Sequence, residues 1–260
     1  MTIKRISSRD NPFYKSLHKL SASARERRAA GQTLLDGPHL LRALLDAGIK
    51  PLHLLVNEQA LQDGEIVALL DACADVQQTQ LDDTLFAQLS ELKTPNGLLS
   101  LVEIPSARIE VAHCLFALLL EDIQDPGNLG SILRSAAAAG CDAVFLSQGC
   151  ADAWSPKVLR AGMGGHFALN IVESADLLKV AADFTGKLLA ASLQADNSLF
   201  ESNLRGKLAF AIGNEGAGLS PGLLDAAQQH FVIPMPGNVE SLNAAAATAV
   251  CLFEAVRQRL

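Results

Sequence analysis

No stretch of this sequence is apolar for long enough to cross a bilayer. Its longest strongly apolar run, residues 114–120, falls far short of the roughly 20 residues that a spanning helix needs. The first twenty residues hold no continuous apolar core of the secretory type, which predicts a soluble cytoplasmic protein. The five cysteines, at positions 73, 114, 141, 150 and 251, are odd in number and form no C-x-x-C pair. Three of them sit in apolar stretches, so reduced core thiols are expected rather than disulfides or a zinc site. Six histidines are scattered along the chain, and no metal is expected. Several fingerprints are missing as well. No G-x-G-x-x-G follows a strand: Gly127-Asn128-Leu129-Gly130 has the wrong spacing, and the glycines at 162–165 lie beyond a helix. No G-x-x-x-x-G-K-[ST], no G-x-S-x-G elbow and no Cys/His motif occurs, which argues against dinucleotide binding, a P-loop and nucleophilic hydrolysis.

Positive charge is also in short supply. Lys and Arg number 21 against 28 Asp and Glu, for a net charge of −7, and a pI near 5.3 argues, taken alone, against a nucleic-acid partner. The distribution is less discouraging. Residues 1–28 hold Lys4, Arg5, Arg9, Lys15, Lys19, Arg25, Arg27 and Arg28 against only Asp10 and Glu26. Such a basic arm suits contact with several phosphates, the alternative being a solvated basic helix.

What is present in quantity is apolar residue, 49% of 260, with a mean hydropathy of +0.22 and a mass of 27.5 kDa. That suffices for a sizeable core and suggests one ordinary domain plus a smaller one. Helical spacing of Phe13, Leu17 and Leu20 predicts one or two helices over 11–30, ending near Gly31. Strands are expected at 33–35, 51–56 and 98–104, with helices at 38–47, 65–74 and 82–91, the last capped by Asp82 or Asp83. This gives a small α/β domain, residues 1–107, with 105–110 as the linker. In the second domain, residues 108–260, strands at 114–120, 144–146, 169–172, 188–193, 208–212 and 231–233 alternate with helices, one of them running from Trp154 to Met163. Such alternation predicts a parallel sheet covered by helices on both faces. Two polar loops stand out, Gly213-Asn214-Glu215-Gly216-Ala217-Gly218 and the 234–243 segment that opens an alanine-rich helix. On neighbouring parallel strands, their carboxyl-terminal position would make a ligand crevice.

Three stretches, "DPGNLGSILRSAAAAG" (125–140), "AIGNEGAGLS" (211–220) and "VIPMPGNVESLNAAAA" (232–247), resemble the three ordered motifs of the SpoU, or TrmH-like, branch of the SPOUT RNA methyltransferases. "SPKVLRAGMGG" from Ser155 is similar to the helix between the first two motifs, and "SSRDNPFYKSLHKL" and "LLDGPHLLRALLDAG" are similar to that family's small RNA-binding domain, related in fold to a ribosomal protein. The resemblance implies a deep trefoil knot, a rare exception to unknotted topology. It also implies S-adenosylmethionine as methyl donor, a ribose 2'-hydroxyl of structured RNA as acceptor, ribosomal RNA ahead of transfer RNA, and a homodimer through the catalytic domain. A base-modifying enzyme of the same fold and a binding or assembly protein without chemistry are the other classes in view.

Carried over by motif, the cofactor contacts fall on Leu193, Gly213, Asn214, Gly216, Gly218, Ile233, Met235, Ser241, Leu242 and Asn243. The glycines fit independently, since backbone groups read an adenine edge only where side chains leave room; Met235 taken alone is also a core filler. The active centre implied is Asn128, Arg134, Glu215, Ser241 and Asn243. Local alternatives stand beside each: an N-cap for Asn128, an ion pair for Arg134, a solvated loop residue for Glu215, helix capping for Ser241 and Asn243. Glu215 is suited to orient Arg134 or a substrate hydroxyl. A neutral guanidine near pH 7 would cost about 7 kcal/mol, so electrostatic stabilisation by Arg134 is safer than base catalysis. Lys15, Arg25, Arg27, Arg28, Lys157 and Arg160 are the RNA-contact candidates, the last two sharing one helix face, where solvation is the alternative. Two positions depart from the family pattern: Ala244 replaces a branched residue, and Asp36-Gly37 stands where Glu-Gly is commoner.

Overall fold

A computed structural model describes residues 4–107, 109–237 and 239–260. Arg108, in the expected linker, and Asn238, in the third motif, lie outside the described residues. The chain divides into two compact units, Met1–Pro105 with Trp154–Phe167, and Ser106–Ala153 with Ala168–Leu260.

In the first unit the elements are β1 (Lys4–Ile6), α1 (Pro12–Ala22), α2 (Ala24–Ala30), β2 (Gln32–Asp36), α3 (Pro38–Asp46), β3 (His53–Val56), α4 (Gly64–Ala72), β4 (Gln77–Leu81), α5 (Asp83–Leu89) and β5 (Leu98–Glu103). Asn11 starts α1 by accepting hydrogen bonds from the Phe13 and Tyr14 amides, while Tyr14, Leu17 and Leu20 bury the helix's inner face. Gly31, at φ 62°, ends α2 in the left-handed conformation that favours glycine. The sheet order is β1-β4-β3-β5-β2, with β1, β4 and β3 parallel and β5 antiparallel to both β3 and β2. Asp82 stands at the N-cap of α5 but makes no capping bond, because its carboxylate accepts from Arg5 Nε at 2.8 Å.

The second unit contains β6 (Phe116–Leu120), α6 (Pro126–Ala138) and β7 (Ala143–Leu146). The chain then leaves it for α7 (Pro156–Gly162) and returns for β8 (Asn170–Val172), α8 (Leu177–Asp183), β9 (Lys187–Ala191), β10 (Leu208–Ile212), α9 (Pro221–Ala226), β11 (Gln229–Phe231) and α10 (Ala244–Arg259). All strand pairs of its six-stranded sheet, β11-β9-β10-β6-β7-β8, are parallel. Strand alternation assigns the faces: Ala117, Leu119, Phe145, Ala190, Ala209 and Ala211 join α8 and α9 residues in one core. Phe116 and Phe210 meet edge to face on the other side, where the Arg259 guanidinium of α10 lies 4.1 Å from the Phe116 ring centroid.

Two sequence expectations change here. β10 and β11 are not neighbours, because β9 lies between them. The segment Trp154–Phe167, expected in the second domain, belongs to the first unit. Its physical tie is to β2, the edge strand: α7 packs on β2, and Thr33 Oγ1 donates to the Trp154 carbonyl at 2.8 Å. The chain therefore passes between units at three places, of which the expected 107/108 cut marks only the first.

Candidate active site

The site grows from the carboxyl-terminal ends of β6, β9, β10 and β11, the edge where an open parallel sheet binds ligands. After β6 the chain turns into α6, whose N-cap is Asp125: its carboxylate accepts from the Asn128 amide at 2.7 Å, with Pro126 preset for the first turn. Asn128 is thus inside the helix, and the N-cap alternative for it is overturned. Its side chain is left for longer-range bonds. After β10, a Cβ at Gly213 would collide with the Gly218 carbonyl, and Gly218 itself has φ 70°. Only glycine at these positions permits the narrow turn, which Asn214 closes by accepting from the Gly216 and Ala217 amides.

Glu215 is the point where the three motifs meet. Its Oε1 accepts from Asn128 Nδ2 at 2.6 Å, Asn243 Nδ2 at 3.1 Å and the Ala244 amide at 3.1 Å, and Asn243 Nδ2 also donates to Asn128 Oδ1 at 2.9 Å. Asn243 does double duty, since its Oδ1 caps α10 by accepting from the Ala245 and Ala246 amides. Among the described residues, Glu215 Oε2 takes no hydrogen bond. Arg134 is exposed on α6 and, among the described residues, makes no hydrogen bond or ion pair. The pairing of Glu215 with Arg134 is therefore not what the structure builds.

Beside this network lies a cavity of about 400 Å³, within the usual range of small-molecule sites. Of the candidate cofactor residues, Leu193, Gly213, Asn214, Gly216, Gly218, Ile233, Met235, Ser241 and Leu242 line it; Asn243 does not. Glu215 lines it too, so the carboxylate links network to cavity. Gln194, first in the loop that follows the candidate Leu193, lines it as well, whereas Ser192 and Ala247 are lining residues that sequence reasoning missed. Ser192 directly follows β9, so the strand-end rule alone would have found it. The walls combine apolar Leu193, Ile233, Met235 and Leu242 with Ser192, Ser241 and loop backbone. That lining fits a molecule with a flat aromatic base, a ribose and a polar amino-acid end. Among the described residues, no group of three or more His, Cys, Asp or Glu is placed to hold a metal ion.

All the RNA-contact candidates lie in the first unit. Lys15, Arg25, Arg28, Lys157 and Arg160 are exposed, and Lys15 pairs with the exposed Asp10 at 2.8 Å. Arg27 is a correction. It is 4% exposed, and its Nη1 donates to the Leu20 and Ser21 carbonyls at 2.5 and 3.2 Å. It joins α2 to the carboxyl-terminal end of α1, leaving its head unavailable for phosphate.

Two family models cover nearly the whole chain: the SpoU rRNA Methylase family over residues 115–253 and an MRM3-like substrate binding domain over residues 4–100. The chain is 32% identical to the 23S rRNA (guanosine(2553)-2'-O)-methyltransferase of Bacillus subtilis, over 96% of this chain and 98% of the relative. Its fold matches the crystal structure of an RNA 2'-O ribose methyltransferase at a TM-score of 0.82 and 33% identity, covering 98% of this chain and 99% of the other. An AdoMet-bound rRNA methyltransferase from Sinorhizobium meliloti matches at a TM-score of 0.85 and 26% identity, covering 99% of both chains.

Proposed function

The chain belongs to the SpoU rRNA methylase family, and on that premise we propose that it transfers a methyl group from S-adenosylmethionine to a ribose 2'-hydroxyl of ribosomal RNA. The observation that carries the reading is the Glu215 network, which gathers Asn128, Glu215 and Asn243 from three separated motifs at the rim of one cavity. S-adenosylmethionine supplies an electrophilic methyl carried on a sulfonium. The cavity residues would hold it, Leu193, Ile233, Met235 and Leu242 excluding water and the 213–218 backbone reading its polar edges.

The remaining work falls to side chains of this protein. Asn128 and Asn243 fix one oxygen of Glu215, which leaves the other open to orient an incoming hydroxyl and to take its proton as the methyl passes to that oxygen, with S-adenosylhomocysteine as the leaving group and the proton then lost to solvent. Arg134, with no partner among the described residues, is available to hold a nearby phosphate and the alkoxide as it develops. It acts there through its charge and its hydrogen-bond donors rather than as a base. Ser241 lines the cavity and is assigned a contact with the reacting end. Lys15, Arg25, Arg28, Lys157 and Arg160 are assigned to phosphates, an electrostatic role open to an acidic protein because the charges cluster on one unit.

The first unit, matching a substrate-binding model, favours ribosomal RNA; transfer RNA is the second reading, since a relative in Synechocystis is named a tRNA/rRNA methyltransferase. We place the enzyme in the cytoplasm as a homodimer through the catalytic unit, with the trefoil knot of its family. Five unpaired cysteines support a reducing compartment, and sedimentation showing only a 27.5 kDa particle in an active sample would refute the dimer. The test of function is incubation with labelled S-adenosylmethionine and unmodified ribosomal or transfer RNA, followed by location of the methyl group. Label on a ribose oxygen of ribosomal RNA is expected; label on a base nitrogen, or none, rejects the reading.

A further inference from the structure

Two acidic residues beyond the carboxyl-terminal end of β6, outside the cavity lining, fasten both ends of the 213–218 loop. At its entry, Asn214 Nδ2 donates to the Asp122 carbonyl at 3.0 Å; at its exit, the Ser220 amide donates to Glu121 Oε2 at 2.7 Å. We propose that Glu121 and Asp122 are positioning residues that set the glycine loop before a ligand arrives, an inference that rests on the cofactor reading of the cavity.

The geometry follows from where the sheet ends. β6 and β10 pair in parallel up to Leu120 and Ile212, and one more rung forms as the Glu121 amide donates to the Ile212 carbonyl at 2.9 Å. Beyond that rung the loop, with three glycines in six residues, has little side-chain packing to order it. Glu121 and Asp122 take over where the ladder stops. Asp122 adopts φ 56°, uncommon for a residue with a side chain. A closed pair of bonds holds it there: its amide donates to Ser147 Oγ at 2.9 Å, and Ser147 Oγ donates to Asp122 Oδ1 at 2.7 Å. Gly149 leaves room for that carboxylate, since a Cβ there would collide with it. The twist aims the Asp122 carbonyl at Asn214, whose own Oδ1 already closes the loop on the Gly216 and Ala217 amides. The anchors thus run from β6 and β7 into the loop that carries both Glu215 and the cavity wall. A loop held in advance need not be ordered at the moment of binding, and that saving raises affinity without any contact to the ligand.

The test compares full-length Glu121→Ala and Glu121→Gln with the parent, measuring S-adenosylmethionine affinity by calorimetry without RNA and amide hydrogen exchange by NMR without ligand. In Glu121→Ala the Kd should rise about tenfold, and the Ser220 and Gly216 amides should exchange faster while β6 and β10 amides keep their protection. Glu121→Gln keeps an acceptor oxygen and should return the Kd to within about threefold of the parent. Ser147→Ala, which removes the hold on Asp122, should shift affinity and loop exchange in the same direction. It serves as the deciding variant if Glu121→Ala does not fold. Parental affinity together with parental loop exchange in Glu121→Ala overturns the proposal, as does Glu121→Gln behaving no better than Glu121→Ala. If the parent itself binds no S-adenosylmethionine, the cofactor reading fails, and the exchange measurement alone still decides whether these residues hold the loop.

Discussion

Replacing Glu215 separates what the carboxylate holds together from what it does to substrate. Glu215→Ala deletes the acceptor of three donors, Asn128 Nδ2, Asn243 Nδ2 and the Ala244 amide. In a buried site each bond to a charged group would be worth about 1.5–3 kcal/mol, but Glu215 is exposed and water replaces much of that. Asn128 and Asn243 also keep their mutual bond at 2.9 Å. A stability loss of about 1–2 kcal/mol follows, lowering Tm by roughly 2–8 °C for a chain of this length. The effect on chemistry should be larger, about 10²-fold or more in the saturated methyl-transfer rate, because the acceptor proposed for the attacking hydroxyl disappears. Glu215→Gln is the sharper variant. Its carbonyl oxygen can still accept from Asn128 and Asn243, which preserves Tm, while its amide nitrogen occupies the open position and donates instead of accepting. Single-turnover transfer with saturating RNA and cofactor, alongside thermal melts, reads both quantities. A Glu215→Gln protein with parental Tm and a parental rate would refute the assignment of the open oxygen to the substrate hydroxyl.

Arg134→Ala should lower the saturated rate by about 10² or more with little change in cofactor affinity; rapid-quench assays showing weaker RNA binding but a parental saturated rate would remove its electrostatic role. Arg25→Ala should weaken RNA binding and flatten its salt slope by about 0.7–0.9 without changing Tm. Arg27→Ala should instead destabilise the protein by about 2–4 kcal/mol, because it strips a buried donor from the Leu20 and Ser21 carbonyls; thermal melts and binding isotherms together distinguish the two. A fragment of residues 108–260 loses β2, against which α7 packs, and should melt earlier than one that also lacks 154–167 by replacement with a short glycine-serine linker; equal melting would show that α7 does not need the first unit.

The parts of this fold that local pattern determines were legible. Unbroken apolar runs at β6 and β10, the alanine-rich α6 and α10, and Gly31 closing α2 needed only their own neighbours. β4 did not announce itself because its sequence, QQTQL, is mostly polar. It is a strand because β1 and β3 pair with it on either side, and Thr79, which bonds His53 Nε2 at 2.8 Å, is its buried polar centre. β1 is only three residues long and needs that same partner. Capping choices depended on competition from afar: Asp82 serves Arg5 rather than α5, and Asp125 takes the cap that Asn128 also suits. In the site, nine of the ten cofactor candidates that motif order supplied line the cavity, and Asn243 does not. The bonding pattern was not readable, because Glu215 meets Asn128 across 87 positions and Asn243 across 28. The recruitment of α7 to an edge strand is a tertiary event with no local mark, and so was the burial of Arg27 within a run of basic residues.

The central claim is that this chain methylates ribose oxygens of ribosomal RNA through the Glu215 and Arg134 site. Mapping 2'-O-methylation across ribosomal and transfer RNA in cells lacking the gene, then in the same cells carrying the parent, Glu215→Gln or Arg134→Ala, tests it most directly. A ribosomal 2'-O-methyl mark should vanish with the gene, return with the parent and stay absent with either variant. An unchanged ribosomal map, or full restoration by both variants, would contradict the account.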